Sequence, residues 1–261
     1  MYPVMQDLTE IWTLSSGSSG NACWIRHGKC EFLIDAGISR RAISTALRSL
    51  GSDLSNLSAV FVTHEHSDHV KGLPMLAKHE HIPVHAVAET ADQLSGVDPA
   101  CIVPHTPLFS VELSREVKVE SFVTPHDSMA SVGYVITAGQ RKFAVATDMG
   151  MCAQSVADAL SGCEGVILEA NYDSDMLRTG PYPYYLKDRI FARTGHLDNR
   201  DSAKMAAYLA LRGTRRVLLA HLSNENNTPA KALETVSDYL AEHRIELDVA
   251  VADRYTPTRL I

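Results

Sequence analysis

The sequence predicts a single α/β domain, and three observations predict it. Short apolar segments of strand length alternate with amphipathic segments of helix length along most of the chain. Several apolar segments end in a histidine or an aspartate, which places polar side chains along one edge of a sheet. The composition is that of a globule: of 261 residues, 45% are hydrophobic and 21% charged, with no repeat, low-complexity tract or linker-like stretch. One domain spanning residues 1–261 is therefore expected.

Taken in order, Phe32-Leu33-Ile34 is a strand that delivers Asp35 at its end. Ser39 then caps a helix in which Ile43, Leu47 and Leu50 recur at helical spacing, and Gly51 stops it. Ala59 to Val62 form the next strand, with the stretch "THEHSDH" at its exit. "GLPMLAKHE" reads as a helix and Pro83 to Val87 as a strand. From Val111 to Val145 the pattern is β, with Ala138-Gly139-Gln140 as a hairpin turn. The helix "CAQSVADAL" and the strand "GVILEANY" follow. Residues 172–200, rich in tyrosine and proline, carry weak periodicity and are expected to form an ordered arm. "SAKMAAYLALRG" is a helix, "RRVLLAH" a strand, "TPAKALETVSDYLAEH" a helix opened by Thr228 and Pro229, and "ELDVAVA" a final strand.

Composition removes several function classes. The N-terminal stretch has neither a basic region nor a long apolar core, and no segment approaches the ~18 apolar residues of a membrane span. A cytoplasmic protein without membrane contact is expected. The cysteines (Cys23, Cys30, Cys101, Cys152 and Cys163) are odd in number and never spaced as C-x-x-C, which argues for free thiols rather than a zinc ribbon or a disulfide framework. A formal charge of -7 is unfavourable for binding a polyanion, but bound divalent cations would offset part of it, so nucleic acid is not excluded.

The chemistry starts at His64, His66, Asp68 and His69. In the pattern H-x-H-x-D-H, a turn leaving a strand aims His64 and His66 at one ion while Asp68 and His69 face another. Imidazole nitrogen and carboxylate oxygen suit zinc, manganese or iron. Further ligands are expected at other strand ends: His126 after "ESFVTP", Asp148 after "KFAVAT" and His221 after "RRVLLA". His27, His79, His81, His85, His105 and His243 fit no motif position.

In order and context, Asp35, "HEHSDH", His126, Asp148 and His221 resemble the motifs of the metallo-β-lactamase superfamily. The resemblance implies a four-layer αββα sandwich with a two-metal site along one edge of its β layers. It implies that His64, His66 and His126 hold one ion, that Asp68, His69 and His221 hold the other, that Asp148 bridges them, and that Asp35 orients the cluster. The β-lactamases themselves generally carry cysteine where Asp148 stands, and flavodiiron proteins carry glutamate where His66 stands. Phosphodiesterases, nucleases and glyoxalase-II-like thioesterases remain. In the tRNase Z and RNase J branches a histidine at about the place of His196, 25 residues before His221, contacts the scissile phosphate.

"SSGSSGN", "FLIDAGIS", "THEHSDHVKGL", "LEANYD", "GPYPYYLKDRI", "GHLDN" and "HLSNENN" resemble more narrowly the YycJ/WalJ/VicX family of bacterial metallo-hydrolases. That family is cytoplasmic, often encoded beside a two-component system, and linked to 5′-to-3′ DNA exonuclease activity. The expectation is thus a phosphodiesterase, a DNA exonuclease in which a hydroxide held by two divalent ions (zinc, manganese or iron) attacks phosphorus. Asp68 and His196 take the catalytic roles. Ser18 and Asn21 of the serine-glycine turn, and Lys187, Arg189 and Arg193 of the arm, are expected to meet the phosphate backbone. Where the family reads Gly-His-Leu-Ser-Asn this chain has Asp198, a carboxylate expected either to repel a phosphate or to polarise His196. The interval from Asp148 to His221 is too short for the β-CASP insertion of RNase J-type nucleases. A glyoxalase-II-like thioesterase and a non-catalytic partner of a two-component system are the alternatives, and a homo-oligomer stays open.

Overall fold

Two seven-stranded sheets face each other, each backed by helices. The structure, a computed structural model, describes residues 9–261. The expected lack of a leader concerns a stretch whose first eight residues lie outside the described ones. The first sheet contains β1 (Thr9–Ser15), β2 (Ala22–His27), β3 (Cys30–Ile34), β4 (Leu57–Phe61), β5 (Val84–Val87) and β6 (Ile102–His105). The second runs from β7 (Ser110–Glu112) through β8 (Val117–Val123), β9 (Val132–Ala138), β10 (Arg141–Ala146), β11 (Gly165–Glu169) and β12 (Arg216–Ala220) to β13 (Asp248–Val251). The closing strand β14 (Thr258–Arg259) returns to the first sheet beside β1.

The sheets share one plan. In each, an antiparallel part gives way to parallel strands: β3 to β6 in the first and β10 to β13 in the second. Parallel strands need crossovers, and amphipathic helices supply them. On the first sheet lie α1 (Arg40–Ser49), the one-turn α2 (Ser67–Val70), α3 (Leu73–Glu80) and the short α4 (Ala88–Ala91). On the second lie α5 (Gln154–Leu160), α8 (Asn199–Ala210) and α9 (Pro229–Glu242), while the arm between β11 and α8 forms α6 (Ser174–Thr179) and α7 (Tyr184–Phe191).

Three apolar layers follow from this stacking. Between the sheets, Ile11, Ile25, Phe32 and Phe61 pack against Val119, Tyr134, Phe143 and Leu218. Outside the first sheet, Trp24, Leu33 and Val60 meet Ile43, Leu47, Leu73 and Leu76. Outside the second, Val166, Leu168 and Leu219 meet Val156, Leu209 and Val236. The inner parallel strands β4, β11 and β12 are mostly buried on both faces, which is why they read as apolar runs. The four-layer αββα sandwich is the observed architecture.

The helix signals hold in detail. The Ser39 hydroxyl accepts the Ala42 N–H at 3.2 Å, and Thr228 accepts the Lys231 N–H at 3.1 Å. Gly51, with φ +76°, follows the first helix. Among the elements the sequence reading did not assign are β1, β2, β6 and β14 and the short helices α2, α4, α6 and α7. α2 is a single turn inside the histidine motif, too short to show a period. The arm contains α7, whose eight residues bury none of their side chains, so it shows no apolar stripe. Among the described residues no helix is long and apolar enough to cross a membrane, and the five cysteines are free.

Candidate metal centre

The carboxyl ends of β3, β4, β10, β11 and β12 reach the same edge of the sandwich. β8 points the same way, because β8 and β10 both run antiparallel to β9. The segments leaving these strands carry Asp35, the H-x-H-x-D-H motif, His126, Asp148 and His221, and Glu169 is the last residue of β11. Side chains at carboxyl ends of parallel strands escape the packed layers, so a polar cluster forms there without breaking the core. Three of these residues turn the chain sharply. Asp35 (φ +60°), Asp148 (φ +60°) and His221 (φ +58°) adopt the left-handed conformation that is costly outside glycine.

The donor atoms form interlocking groups. His64, His66 and His126 converge, as do Asp68, His69 and His221, with each set of ligand atoms within 4.8 Å of one another. Asp148 joins both: its carboxylate lies 3.7 Å from His126 Nε2, 3.3 Å from His69 Nε2 and 3.5 Å from His221 Nε2. His64, His69 and Asp148 form a further such group, as do Asp148, Glu169, His196 and His221.

The imidazoles are also oriented from behind. His69 Nδ1 lies 2.7 Å from Asp35 Oδ2, and His126 Nδ1 donates to the Gly195 carbonyl at 3.0 Å. His64 Nδ1 is 3.0 Å from the Thr63 hydroxyl, and His221 Nδ1 is 3.4 Å from Glu169 Oε1. With Nδ1 engaged outward, Nε2 of each ring is left for the centre. Asp35 itself is fixed by the Thr63 N–H and hydroxyl, both at 2.8 Å.

Divalent ions fit this donor set. His64 Nε2 and Asp148 Oδ2 are buried without a hydrogen-bond partner, a costly state that coordination relieves. His126 Nε2 and His66 Nδ1 face each other at 3.3 Å, where two lone pairs need a cation or a proton between them. The electrostatics agree. Burial alone would raise Asp148, yet the imidazoles of His221, His69, His64 and His126 hold it well below the usual carboxylate range. Burial would lower His221, but Asp148 above all, with Asp68 and Glu169, pushes it up to about 10. The carboxylates therefore demand positive charge at the centre of the cluster.

Glu169 escaped the sequence reading. It is fully buried at the end of β11, accepts the Met149 N–H at 2.6 Å, and holds His196 Nδ1 at 2.7 Å. Burial opposes its ionisation, but the His196 and His221 imidazoles keep it below the usual carboxylate range. The available signal was an acid ending the apolar run "GVILE", the same signal that identified Asp35 and Asp148. Asn171 is a second addition: its amide donates to the His221 carbonyl at 2.8 Å.

A cleft of about 340 Å³ opens over the cluster, lined among others by Ser18, His66, Asp148, Tyr182, Arg189 and His196. His196 thus lines the cleft with its Nδ1 engaged by Glu169. Arg189 reaches across the mouth to Asp127, Nε to Oδ2 at 2.5 Å. Lys187 donates to the Arg178 carbonyl at 2.7 Å and Arg193 contacts Met151 Sδ at 3.3 Å; neither forms part of the cleft wall. Asn21 is buried behind the centre, with its amide donating to Gly17 and to Asp68 Oδ2 at 3.2 Å. Asp198 does not line the cleft: it caps α8 through the Asp201 N–H at 2.7 Å and accepts from Ser174.

The family described as the beta-lactamase superfamily domain matches residues 31–222. Exodeoxyribonuclease YycJ of Bacillus anthracis is 34% identical over 232 residues, covering 88% of this chain and 88% of that protein. Exodeoxyribonuclease WalJ of Streptococcus pneumoniae serotype 2 is 32% identical over 234 residues, covering 88% and 87%. The metallo-beta-lactamase fold protein YhfI of Bacillus subtilis superposes with a TM-score of 0.74 at 14% identity, over 97% of this chain and 100% of that one, a likeness of fold. On its sequence matches this chain belongs to the beta-lactamase superfamily and, within it, to the YycJ/WalJ family.

Proposed function

We propose that this chain is a metal-dependent 5′-to-3′ DNA exonuclease acting in the cytoplasm, in which His64, His66 and His126 would hold one divalent ion and Asp68, His69 and His221 a second, with Asp148 as a further ligand. Zinc, manganese and iron all suit the donors. The observation that carries the reading is the His196–Glu169 pair set beside the donor cluster at the cleft. The YycJ and WalJ relatives, named exodeoxyribonucleases, support it.

When bound, the ions supply Lewis acidity toward phosphoryl oxygens and a water made nucleophilic near neutral pH. The chain's own residues do the rest. Glu169 accepts the His196 Nδ1 proton, which fixes the ring and leaves Nε2 for the substrate. When Nε2 carries a proton as well, the ring can give it to the leaving oxygen, or hydrogen-bond a phosphoryl oxygen while charge develops on it, with Glu169 stabilising the charged ring through Nδ1. Asp68, which would help to hold the second ion, lines the cleft, and its carboxylate is oriented by the Asn21 amide. Ser18 and Arg189 are the substrate-facing polar groups of the serine-glycine turn and the arm, and Tyr182 offers a ring to a base. Lys187 and Arg193 extend the positive charge along the arm beyond the cleft.

The test is digestion of end-labelled duplex DNA by metal-stripped protein with Mn²⁺ or Zn²⁺ restored, beside His66→Ala. Metal-dependent shortening from the 5′ end, absent from the variant, is expected. Intact DNA under both ions, with thioesters hydrolysed instead, would overturn the nuclease reading.

A further inference from the structure

A second group of donor atoms lies at the opposite edge of the first sheet. The catalytic cluster sits at the carboxyl ends of the parallel strands, whereas His81 precedes β5 and Cys101 immediately precedes β6, at their amino ends. Asp98 opens the 3-10 turn Pro99–Cys101 that leads into β6. One ligand atom each of His81, Asp98 and Cys101 falls within 4.8 Å of the others.

We propose that His81, Asp98 and Cys101 form a peripheral binding site for a soft divalent cation, zinc foremost. An imidazole, a carboxylate and a thiol are the donor types zinc takes, and three protein donors leave the fourth tetrahedral position to water. His81 and Asp98 are exposed while Cys101 is 6% exposed, so an ion enters from solvent and seats against a thiol fixed from below. The Ala100 N–H binds Asp98 Oδ1 at 3.0 Å, which orients the carboxylate and leaves its second oxygen for the ion. The site also faces the carboxyl end of α3. The Ala77 carbonyl accepts the His81 N–H at 3.1 Å and lies 3.8 Å from Cys101 Sγ, and the partial negative charge at a helix end favours a cation there. On binding, the Cys101 thiol releases its proton to solvent and the thiolate joins the ion; no redox step is involved. The ion would tie the end of α3 to the turn before β6, bracing a helix whose other end adjoins the histidine motif.

Cys101 also packs as a small apolar side chain among Ala77 and its core neighbours, so substitution must separate packing from binding. The catalytic cluster contains no sulfur donor, which makes cobalt a selective reporter. With Co²⁺ added to the metal-stripped full-length chain, a thiolate-to-cobalt charge-transfer band is expected in the near ultraviolet. The band should vanish in both Cys101→Ser and Cys101→Ala and weaken in His81→Ala and Asp98→Ala. His66→Ala, which breaks the catalytic cluster, should keep it. After zinc loading and desalting, Cys101→Ser should retain one ion fewer per chain than the unaltered protein. No band at Co²⁺ levels that saturate the catalytic cluster, or a band that survives Cys101→Ser, would overturn the proposal. If the cysteine variants fail to fold, the exposed His81→Ala and Asp98→Ala substitutions decide the matter by the same two readings. Because neither reading uses DNA, this result is independent of the nuclease test.

Discussion

His196 shows what a single side chain needs before it can act. Its Nδ1 is committed to Glu169 at 2.7 Å, so tautomer and ring plane are set before any substrate arrives. Glu169→Gln keeps the shape but removes the charge that selects this tautomer. We expect kcat to fall about 10- to 100-fold with KM little changed, measured by steady-state release of labelled nucleotide. His196→Ala should slow turnover at least as much while the purified protein retains its full metal complement by elemental analysis. Because the two residues act as one unit, the double variant should be scarcely slower than His196→Ala alone. Additive losses would show that Glu169 acts mainly through His221, from which it stands 3.4 Å.

At the scale of elements, the loops after the strands and the one-turn helix α2 carry the candidate ligands, and one glycine governs their fit. The loop after β3 is laced to the metal motif: the Ala36 N–H donates to the His69 carbonyl at 2.8 Å, and the Gly37 N–H to Asn21 at 2.7 Å. A Cβ on Gly37 would collide with the Asp68 carbonyl oxygen, itself the acceptor for the Asn21 N–H. Gly37→Ala should therefore weaken metal retention as well as lower the unfolding midpoint, a pairing that a stability defect elsewhere would not produce. A different effect belongs to β5. The His85 ring stacks on Phe61, and its pKa is pushed down to about 4, by burial first and by His105 second. A folded value below the unfolded ~6.5 means that the stabilising contribution is present above about pH 6.5 and is lost as pH falls toward 4. The loss should be about 1–2 kcal/mol, smaller than the full shift implies because the ring retains some access to water. Urea unfolding of the native protein and of His85→Phe across that range should show the pH slope shrink in the variant.

For the whole molecule, the candidate metal centre draws on both sheets. The first contributes Asp35 and the H-x-H-x-D-H motif; the second contributes His126, Asp148 and His221. Ions bound by residues from both sheets favour the folded state by mass action. Saturation at ~1,000 times the dissociation constant is worth about 4 kcal/mol, or on the order of 10 °C in melting temperature for a chain of this size. Chelation should lower the melting temperature by that order, and Zn²⁺ or Mn²⁺ should restore it. Asp148→Asn should respond much less. Equal shifts in both proteins would mean that the ions bind elsewhere.

The sequence by itself singled out the seven candidate ligand positions, the strands that present them and the helix caps, because each rests on a local pattern. An apolar run ending in a polar residue, or a capping residue three positions before an N–H, is complete within a few neighbouring residues. Leu57–Phe61 followed by the histidine motif is such a case. The tertiary structure alone decided what surrounds those positions. Glu169 became the partner of His196, 27 residues away, because β11 ends beside the arm. Asn21 turned inward to Asp68, 47 residues on, and Asp198 became a helix cap rather than a wall of the cleft. Arg189 was legible as a basic residue, but its pairing with Asp127, 62 residues earlier, was not. The physical reason is the same for each: a hydrogen bond between segments distant in sequence leaves no period or spacing in either one. The fold chooses it when the strand ends are brought to one edge.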